Sequence, residues 1–107
     1  MDTINSLFEV ITKRREHPAQ GSYTCYLFNE GEDKILKKVG EECAETIIAA
    51  KNGGGDALVG ELCDLAYHLL VLMAYKGISP DAVKAELKRR SQKIGNLKAR
   101  KQTDKNT

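Results

Sequence analysis

Two pairs of carboxylates are the residues of this chain best suited to chemistry. Glu42 and Glu45 lie three residues apart, and Glu61 and Asp64 repeat that spacing, which places each pair on one face of a helix. If the two faces pack together, four like charges meet, and such a cluster either takes up protons or holds a cation. Oxygen ligands with no cysteine among them suit Mg²⁺ or Mn²⁺ rather than zinc, and these cations activate water for attack on phosphates. The pattern therefore indicates phosphate chemistry.

The second pair lies in unusual surroundings. Nearly every side chain from residue 58 to 75 is apolar, and a helix that is apolar on all sides is a buried one. Glu61, Asp64 and His68 interrupt this stretch within an arc of roughly 60°, at about 100° per residue. A buried carboxylate without a partner costs several kcal/mol, so the polar stripe must face a cation, a solvent cleft or a basic residue. The first pair alone would be typical of a solvated helix face.

The lysines beside the acids have two open interpretations. Lys34 and Lys38 share a helix face with Glu41 and Glu45. They form either ordinary surface ion pairs or contacts with substrate phosphates. Lys37 points to another face.

His68 lies one turn beyond Asp64. That position is more typical of a hydrogen-bonded core histidine than of a ligand, so we expect it to support Asp64. Ser22, Tyr23 and Thr24 place three hydroxyls after a glycine. These hydroxyls serve a phosphate or cap a turn, and nothing local decides between the two.

Charge is divided along the chain. Residues 1–87 carry 9 basic and 14 acidic side chains, whereas residues 88–107 carry 8 basic and one acidic. Arg89 and Arg90 belong to a predicted helix that packs against the body, and the arginine fork suits phosphate oxygens, so we expect at least one of them to bind substrate. Residues 98–107 are too polar to bury anything, and we expect a disordered basic tail.

Apolar spacing predicts an all-α fold of four helices, because no segment shows the alternation of a strand. The second predicted helix carries the first acid pair, and the third carries the other. Short loops favour antiparallel neighbours, so an antiparallel bundle is expected. The predicted helices cover residues 4–17, 34–51, 57–76 and 80–95, and residues 18–33 are predicted to form a loop with one helical turn from Ser22 to Phe28.

A chain of 107 residues with 41% hydrophobic content makes one domain, predicted at 1–97, and its lean core favours self-association. The composition excludes collagen-like, mucin-like, prion-like and fully disordered classes.

Residues 1–3 lack the basic flank of a secretory signal, so we expect a cytoplasmic protein. The spacing of the three cysteines fits neither a CxxC metal site nor a set of fully paired disulfide bonds, so we expect reduced, mostly buried thiols. The apolar run 65–75 is too short for a bilayer, and we expect a core helix.

Together these motifs resemble the phosphoribosyl-ATP pyrophosphohydrolases of histidine biosynthesis. The similarity runs from the first predicted helix to about Arg90. The acidic core is shared with the wider MazG-like all-α nucleotide pyrophosphatases, but the first and last of the matching segments are more particular to the histidine enzymes. The segments are GSYT at 21–24, KKVGEE at 37–42 with Glu45, AAK at 49–51 and ELCDLAYHLLV at 61–71.

The resemblance implies hydrolysis of phosphoribosyl-ATP between its α and β phosphates, with Mg²⁺ as cofactor and a homodimer completing the bundle. Glu42, Glu45, Glu61 and Asp64 match the family's metal-binding acids. Glu41 also matches, and it orients or deprotonates the attacking water, although the sequence does not assign that proton among the five acids. The chain departs from the usual pattern in three consecutive glycines at 53–55 and in two cysteines, Cys43 and Cys63, inside the motif helices.

Two other functions compete with this one. A MazG-like nucleoside triphosphate pyrophosphatase would share the metal site and differ in its base pocket. A nucleic-acid-binding helical module would use the basic tail. The second leaves the acids unexplained, so nucleic acid and membrane are not expected partners.

Overall fold

The computed structural model describes residues 2–93, and all regular structure within that range is helical. The all-α class predicted from the sequence is therefore confirmed. The predicted domain boundary at residue 97 and the predicted basic tail lie outside the described residues. The helices are α1 (Thr3–Glu16), α2 (Tyr23–Glu30), α3 (Glu32–Asn52), α4 (Gly55–Lys76) and α5 (Pro80–Ser91).

Side-chain caps fix where three of the helices begin. Asp2, Ser22 and Ser79 precede α1, α2 and α5, and each accepts a hydrogen bond from the backbone N–H three residues on, at 2.8, 3.2 and 3.1 Å. Such a bond satisfies one of the N–H groups that a helix leaves unpaired at its start. Pro80 at the first position of α5 suits the helix start as the sequence predicts.

The segment predicted as a loop with one helical turn is instead a helix of eight residues, α2. Besides its cap, α2 buries Cys25 and Leu27, and this packing stabilises a helix too short to persist alone. Gly31 separates α2 from α3 with a φ of 94°. That left-handed conformation is open to glycine and strained for other residues.

The other helix ends differ from prediction by a few residues. α3 begins at Glu32, two residues early. α4 begins at Gly55, so Asp56, predicted to cap it, lies in the first turn, where its charge favours the helix dipole. α5 was predicted to reach residue 95 but ends at Ser91. The Ser91 hydroxyl donates to the carbonyl of Lys88 at 2.7 Å, and such local bonding competes with the helix ladder.

The core lies where α1, α2, α3 and α4 meet. The chain reverses at Gly53 and Gly54, so α3 and α4 pack side by side as an antiparallel pair, and α1 and α2 cover one side of it. Arg15 of α1 donates to the carbonyl oxygens of Ala74 and Tyr75 at 2.9 and 3.2 Å, which satisfies the last turn of α4. The buried apolar residues of the core are Ile11, Leu27, Ile35, Leu70, Val71 and Ala74.

Only part of α4 is covered within one chain. By length and composition this helix could cross a membrane, but it packs against three other helices, as a core helix does. The buried residues of α4 all lie in its carboxyl-terminal half, whereas Val59 and Leu62 near its start remain exposed. The prediction that most thiols are buried is wrong for the single chain: Cys25 is buried, but Cys43 and Cys63 are exposed, because they lie on outward faces of α3 and α4.

Candidate active site

Three carboxylates meet where α3 packs against α4. Glu42 and Glu45 of α3 and Glu61 of α4 each offer an oxygen, and these oxygens lie within 4.8 Å of one another. The Thr46 hydroxyl donates to the carbonyl of Glu42 at 2.7 Å and lies 3.4 Å from the carbonyl of Glu61. This threonine therefore bridges the two helices at the level of the three acids, which we call the acidic cluster.

Within the described residues, the charge of the acidic cluster is only partly neutralised, by Lys38. Glu42 is buried, and the Oε2 atoms of Glu42 and Glu61 have no hydrogen-bond partner among the described residues. Burial raises the pKa of Glu42 and of Glu61, and the neighbouring Glu45 raises both pKa values further. Unpartnered buried oxygens are rare in native proteins because each costs about 1–3 kcal/mol. The three carboxylates could together hold a cation.

Two predicted members of the site lie beside the acidic cluster, outside the group of three. Asp64 is exposed one turn beyond Glu61 on α4, and its charge still raises the pKa of Glu42 and of Glu61. Glu41 lies next to Glu42 on α3, and its Oε2 is 3.4 Å from Nζ of Lys38. The structure thus brings three of the five predicted acids together, places Asp64 beside them and pairs Glu41 with a lysine.

The two candidate lysines occupy different places. Nζ of Lys38 lies between Glu41 and Glu42, 3.7 Å from Oε1 of the latter. It is the basic group nearest the acidic cluster in the described residues, and its side chain is only about a quarter exposed. Lys34 lies one turn earlier, with its Nζ 5.8 Å from the centre of the Tyr26 ring. Lys38 therefore faces the cluster, whereas Lys34 faces the aromatic side chains of α2.

His68 is positioned by two hydrogen bonds that define its tautomer. Its Nδ1 lies 2.7 Å from the backbone carbonyl of Asp64, and its Nε2 lies 3.0 Å from the Tyr23 hydroxyl. A carbonyl only accepts, so Nδ1 carries a proton, and in the tautomer with its single proton on Nδ1 the Nε2 atom accepts from the Tyr23 hydroxyl. Burial raises the pKa of Tyr23, which keeps this phenol protonated. His68 is a buried histidine, as predicted, but its partner is the carbonyl of Asp64 and not the carboxylate.

Each of the three hydroxyls after Gly21 has a partner within the chain. Ser22 caps α2, Tyr23 binds His68, and the Thr24 hydroxyl bonds to the Tyr67 hydroxyl. The latter two contacts join α2 to α4 beside the acidic cluster. The capping role of Ser22 is thus realised, and roles of these residues toward a phosphate stay predictions.

The structure does not bring Arg89 and Arg90 to the acidic cluster of the same chain. Both donate to the Glu86 carboxylate on α5, at distances from 2.6 to 2.9 Å. These two hydrogen-bonded arginines lower the pKa of Glu86 to about 2. α5 packs against α1, away from the α3–α4 contact that holds the acids.

Two aromatic residues of the site, Tyr26 and Tyr67, were not predicted as site residues from the sequence. Tyr23 stacks between Tyr26 and Tyr67, with ring centres 5.9 and 6.2 Å away, and His68 meets the edges of Tyr23 and Tyr67. The available signal was the spacing of Tyr23 and Tyr26, which puts both on one helix face. This spacing did not indicate a shared face because the segment was predicted to be mostly loop.

Comparison with known proteins gives matches over most of the chain. The family model described as phosphoribosyl-ATP pyrophosphohydrolase matches residues 4–91. A phosphoribosyl-ATP pyrophosphatase of Pelotomaculum thermopropionicum is 64% identical over 92 residues, which are 86% of this chain and 94% of the relative. Proteins of the same name from Listeria welshimeri and Lactiplantibacillus plantarum are 55% and 51% identical, each over 94% of this chain and over 97% and 94% of their own lengths.

Proposed function

We propose that this chain, which belongs to the phosphoribosyl-ATP pyrophosphohydrolase family, hydrolyses phosphoribosyl-ATP to phosphoribosyl-AMP and pyrophosphate in histidine biosynthesis. The single observation that supports this site for the reaction is the acidic cluster, in which one buried oxygen of Glu42 and one of Glu61 have no hydrogen-bond partner within residues 2–93. A cluster of this kind suits a substrate whose polyphosphate arrives with divalent cations. Water attacks one phosphorus of the α–β anhydride, and the bridging oxygen leaves with the other phosphoryl group.

The donor set fits Mg²⁺. Glu42, Glu45 and Glu61 would hold the ion directly, and Asp64 would complete the set or reach it through water, since Mg²⁺ takes carboxylate oxygens and usually keeps several waters. A bound Mg²⁺ would offset the repulsion among the carboxylates and stabilise the charge that develops on the phosphates. Mn²⁺ prefers the same ligands and should substitute.

Glu41 and Lys38 are proposed to act on the reactants. Glu41 lies outside the acidic cluster, and its carboxylate is held 3.4 Å from Nζ of Lys38. It is therefore the carboxylate we assign to orient the attacking water and to accept its proton. Lys38, between Glu41 and Glu42, can bind a phosphate oxygen when the polyphosphate arrives. Lys34 places a second positive charge on the side of the site that faces α2.

Tyr23, Thr24 and His68 are proposed to hold α2 in place beside the acidic cluster. The bonds from Tyr23 to His68 and from Thr24 to Tyr67 fasten α2 to α4. Since α4 carries Glu61 and Asp64, these bonds fix the distance between α2 and the acids. Ser22 contributes through the cap of α2.

Two copies are proposed to pair through the outer faces of α3 and α4. Ile47 and Val59 are 65% and 60% exposed in the single chain, and Leu36, Ile48 and Leu62 are also exposed. Exposed apolar side chains on two neighbouring helices favour a protein contact, and burying them in a dimer contributes about 25 cal/mol per Å² of apolar surface. The proposed cytoplasmic location follows from the family's metabolic role.

Product analysis tests the proposed function. The parent protein with Mg²⁺ should convert phosphoribosyl-ATP to phosphoribosyl-AMP and pyrophosphate in equal amounts, resolved by ³¹P NMR. Asp64→Asn should lose most of this activity, whereas Asp56→Asn, an exposed acid earlier on the same helix, should keep it. Release of single phosphates, or turnover of ordinary nucleoside triphosphates alone, would reject the assignment. The second outcome would select the MazG-like alternative.

A further inference from the structure

An open cavity of about 790 Å³ lies between the segment 18–22 and the outer face of α2. Its lining combines the rings of Tyr23 and Tyr26 with the polar side chains of Gln20, Asn29 and Glu30. A pocket with an aromatic wall and a few polar groups is the common form of a small-molecule site, and its size falls within the range for such sites. The residues of the acidic cluster do not line it.

Tyr23 connects this cavity to the acidic cluster. The ring of Tyr23 forms part of the cavity wall, while its hydroxyl binds His68 on α4. His68 follows Asp64 by one helical turn and Glu61 by two, so the cavity and the acids lie on either side of one tyrosine. A ligand can therefore place one end in the cavity and a polyphosphate chain at the acids.

The chemistry of the cavity wall matches a purine. The rings of Tyr23 and Tyr26 are stacked with their centres 5.9 Å apart, and they are 44% and 45% exposed. Exposed aromatic faces stack on nucleobases. The amide side chains of Gln20 and Asn29 carry both donor and acceptor atoms, the combination that pairs with the amino group and ring nitrogens of adenine.

We propose that the cavity lined by Tyr23, Tyr26 and Asn29 is the purine subsite, which binds the adenine ring while the triphosphate extends past Tyr23 to the acidic cluster. The inference rests on the proposed function for the identity of the substrate. It adds the residues that recognise the base. Tyr26 stacks on the ring, Asn29 and Gln20 bind its polar edge, and Lys34, close to Tyr26, faces the phosphate-bearing side.

Binding of AMP without metal tests the subsite separately from catalysis. In ¹⁵N-labelled protein, AMP raised to about 10 mM should shift the backbone amide signals of residues 19–30 and few others, because millimolar binding is accessible to such a titration. Ribose 5-phosphate at the same concentration should leave these signals in place. Equal shifts with ribose 5-phosphate, or AMP shifts confined to other helices, would overturn the proposal.

Kinetics of matched variants provide the second test. Tyr26→Ala should raise KM for phosphoribosyl-ATP about tenfold with kcat within about threefold, whereas Tyr26→Phe, which keeps the ring, should stay within about twofold of the parent. Asn29→Ala should also raise KM, and Asn52→Ala at the far end of α3 should not. An unchanged KM in both Tyr26→Ala and Asn29→Ala would reject the purine subsite while leaving the proposed function intact. A parent protein without phosphoribosyl-ATP turnover would reject the function itself.

Discussion

Replacing Glu42 with glutamine should stabilise the metal-free protein while it removes activity. The side chain of Glu42 is only 7% exposed, and its Oε2 has no partner within residues 2–93. Two unit charges 4.8 Å apart, the outer limit of the spacing in the acidic cluster, repel by roughly 3 kcal/mol at an effective dielectric constant of about 20. Lys38 at 3.7 Å offsets part of this repulsion. Glutamine keeps the shape, removes the charge and adds a donor for the neighbouring carboxylates.

The expected gain in the free energy of unfolding is about 1–3 kcal/mol, which corresponds to a rise in Tm of at least about 4 °C for a domain of this size. The gain has a defined pH dependence. Because burial and Glu45 raise the pKa of Glu42 above 4.5, the protonated acid stabilises the fold at low pH, and that contribution is lost as the pH rises through the raised pKa. The difference between variant and parent should therefore be small near pH 4 and grow toward pH 7.

Thermal unfolding followed by circular dichroism, with EDTA and then with Mg²⁺, measures these effects. Mg²⁺ at a hundred times its Kd should stabilise the parent by about 2.7 kcal/mol and Glu42→Gln much less. The kcat of the variant should fall at least about a hundredfold, or about 2.7 kcal/mol of activation free energy. Glu9→Gln, an exposed acid on α1, is the matched control. A variant less stable than the parent in EDTA, or equal Mg²⁺ shifts in both proteins, would refute the reasoning.

Three other variants test separate parts of the account. Leu62→Glu, on the exposed face of α4, should convert the proposed dimer to monomer in sedimentation at micromolar concentration, and an unchanged dimer would place the interface elsewhere. Tyr23→Phe, which removes the bond to the imidazole, should lower kcat about tenfold with its ring stacking preserved, and full activity would show that the bond is dispensable. Arg89→Ala combined with Arg90→Ala removes the cause of the low Glu86 pKa of about 2. Ion pairs that lower an acid's pKa stabilise the fold above pH 4.5, so the stability deficit of this double variant should vanish as the pH falls toward about 2, and a deficit constant with pH would contradict this.

The acid pairs and the helices that carry them were predictable from the sequence. Helical spacing and the glycine run between α3 and α4 required an antiparallel hairpin, and polar residues in an apolar helix had to meet partners across it. The structure brings Glu42, Glu45 and Glu61 together as this reasoning requires. Their local spacing carries the information, because each pair is fixed by the period of its own helix.

Contacts between distant segments were not predictable in the same way. The bond between Tyr23 and His68 joins residues 45 positions apart, and no periodic pattern specifies it. α2 was underestimated because tertiary burial of Cys25 and Leu27, rather than helix propensity, stabilises it. Leu70 of α4 likewise lies in the core of the single chain. A charge at Leu70 would unfold the protein before it reported on a dimer.

The most direct test of the central claim is steady-state turnover of phosphoribosyl-ATP by the parent protein and by Glu61→Gln, each with Mg²⁺ and with EDTA. Of the three acids in the acidic cluster, Glu61 is the one that lies on α4. The parent should release pyrophosphate with Mg²⁺ and stop with EDTA, and Glu61→Gln should stay folded but lose at least about a hundredfold in kcat/KM. Pyrophosphate release by the parent in EDTA, or near-parental activity of Glu61→Gln, would contradict the assignment of the acidic cluster as the metal-dependent active site.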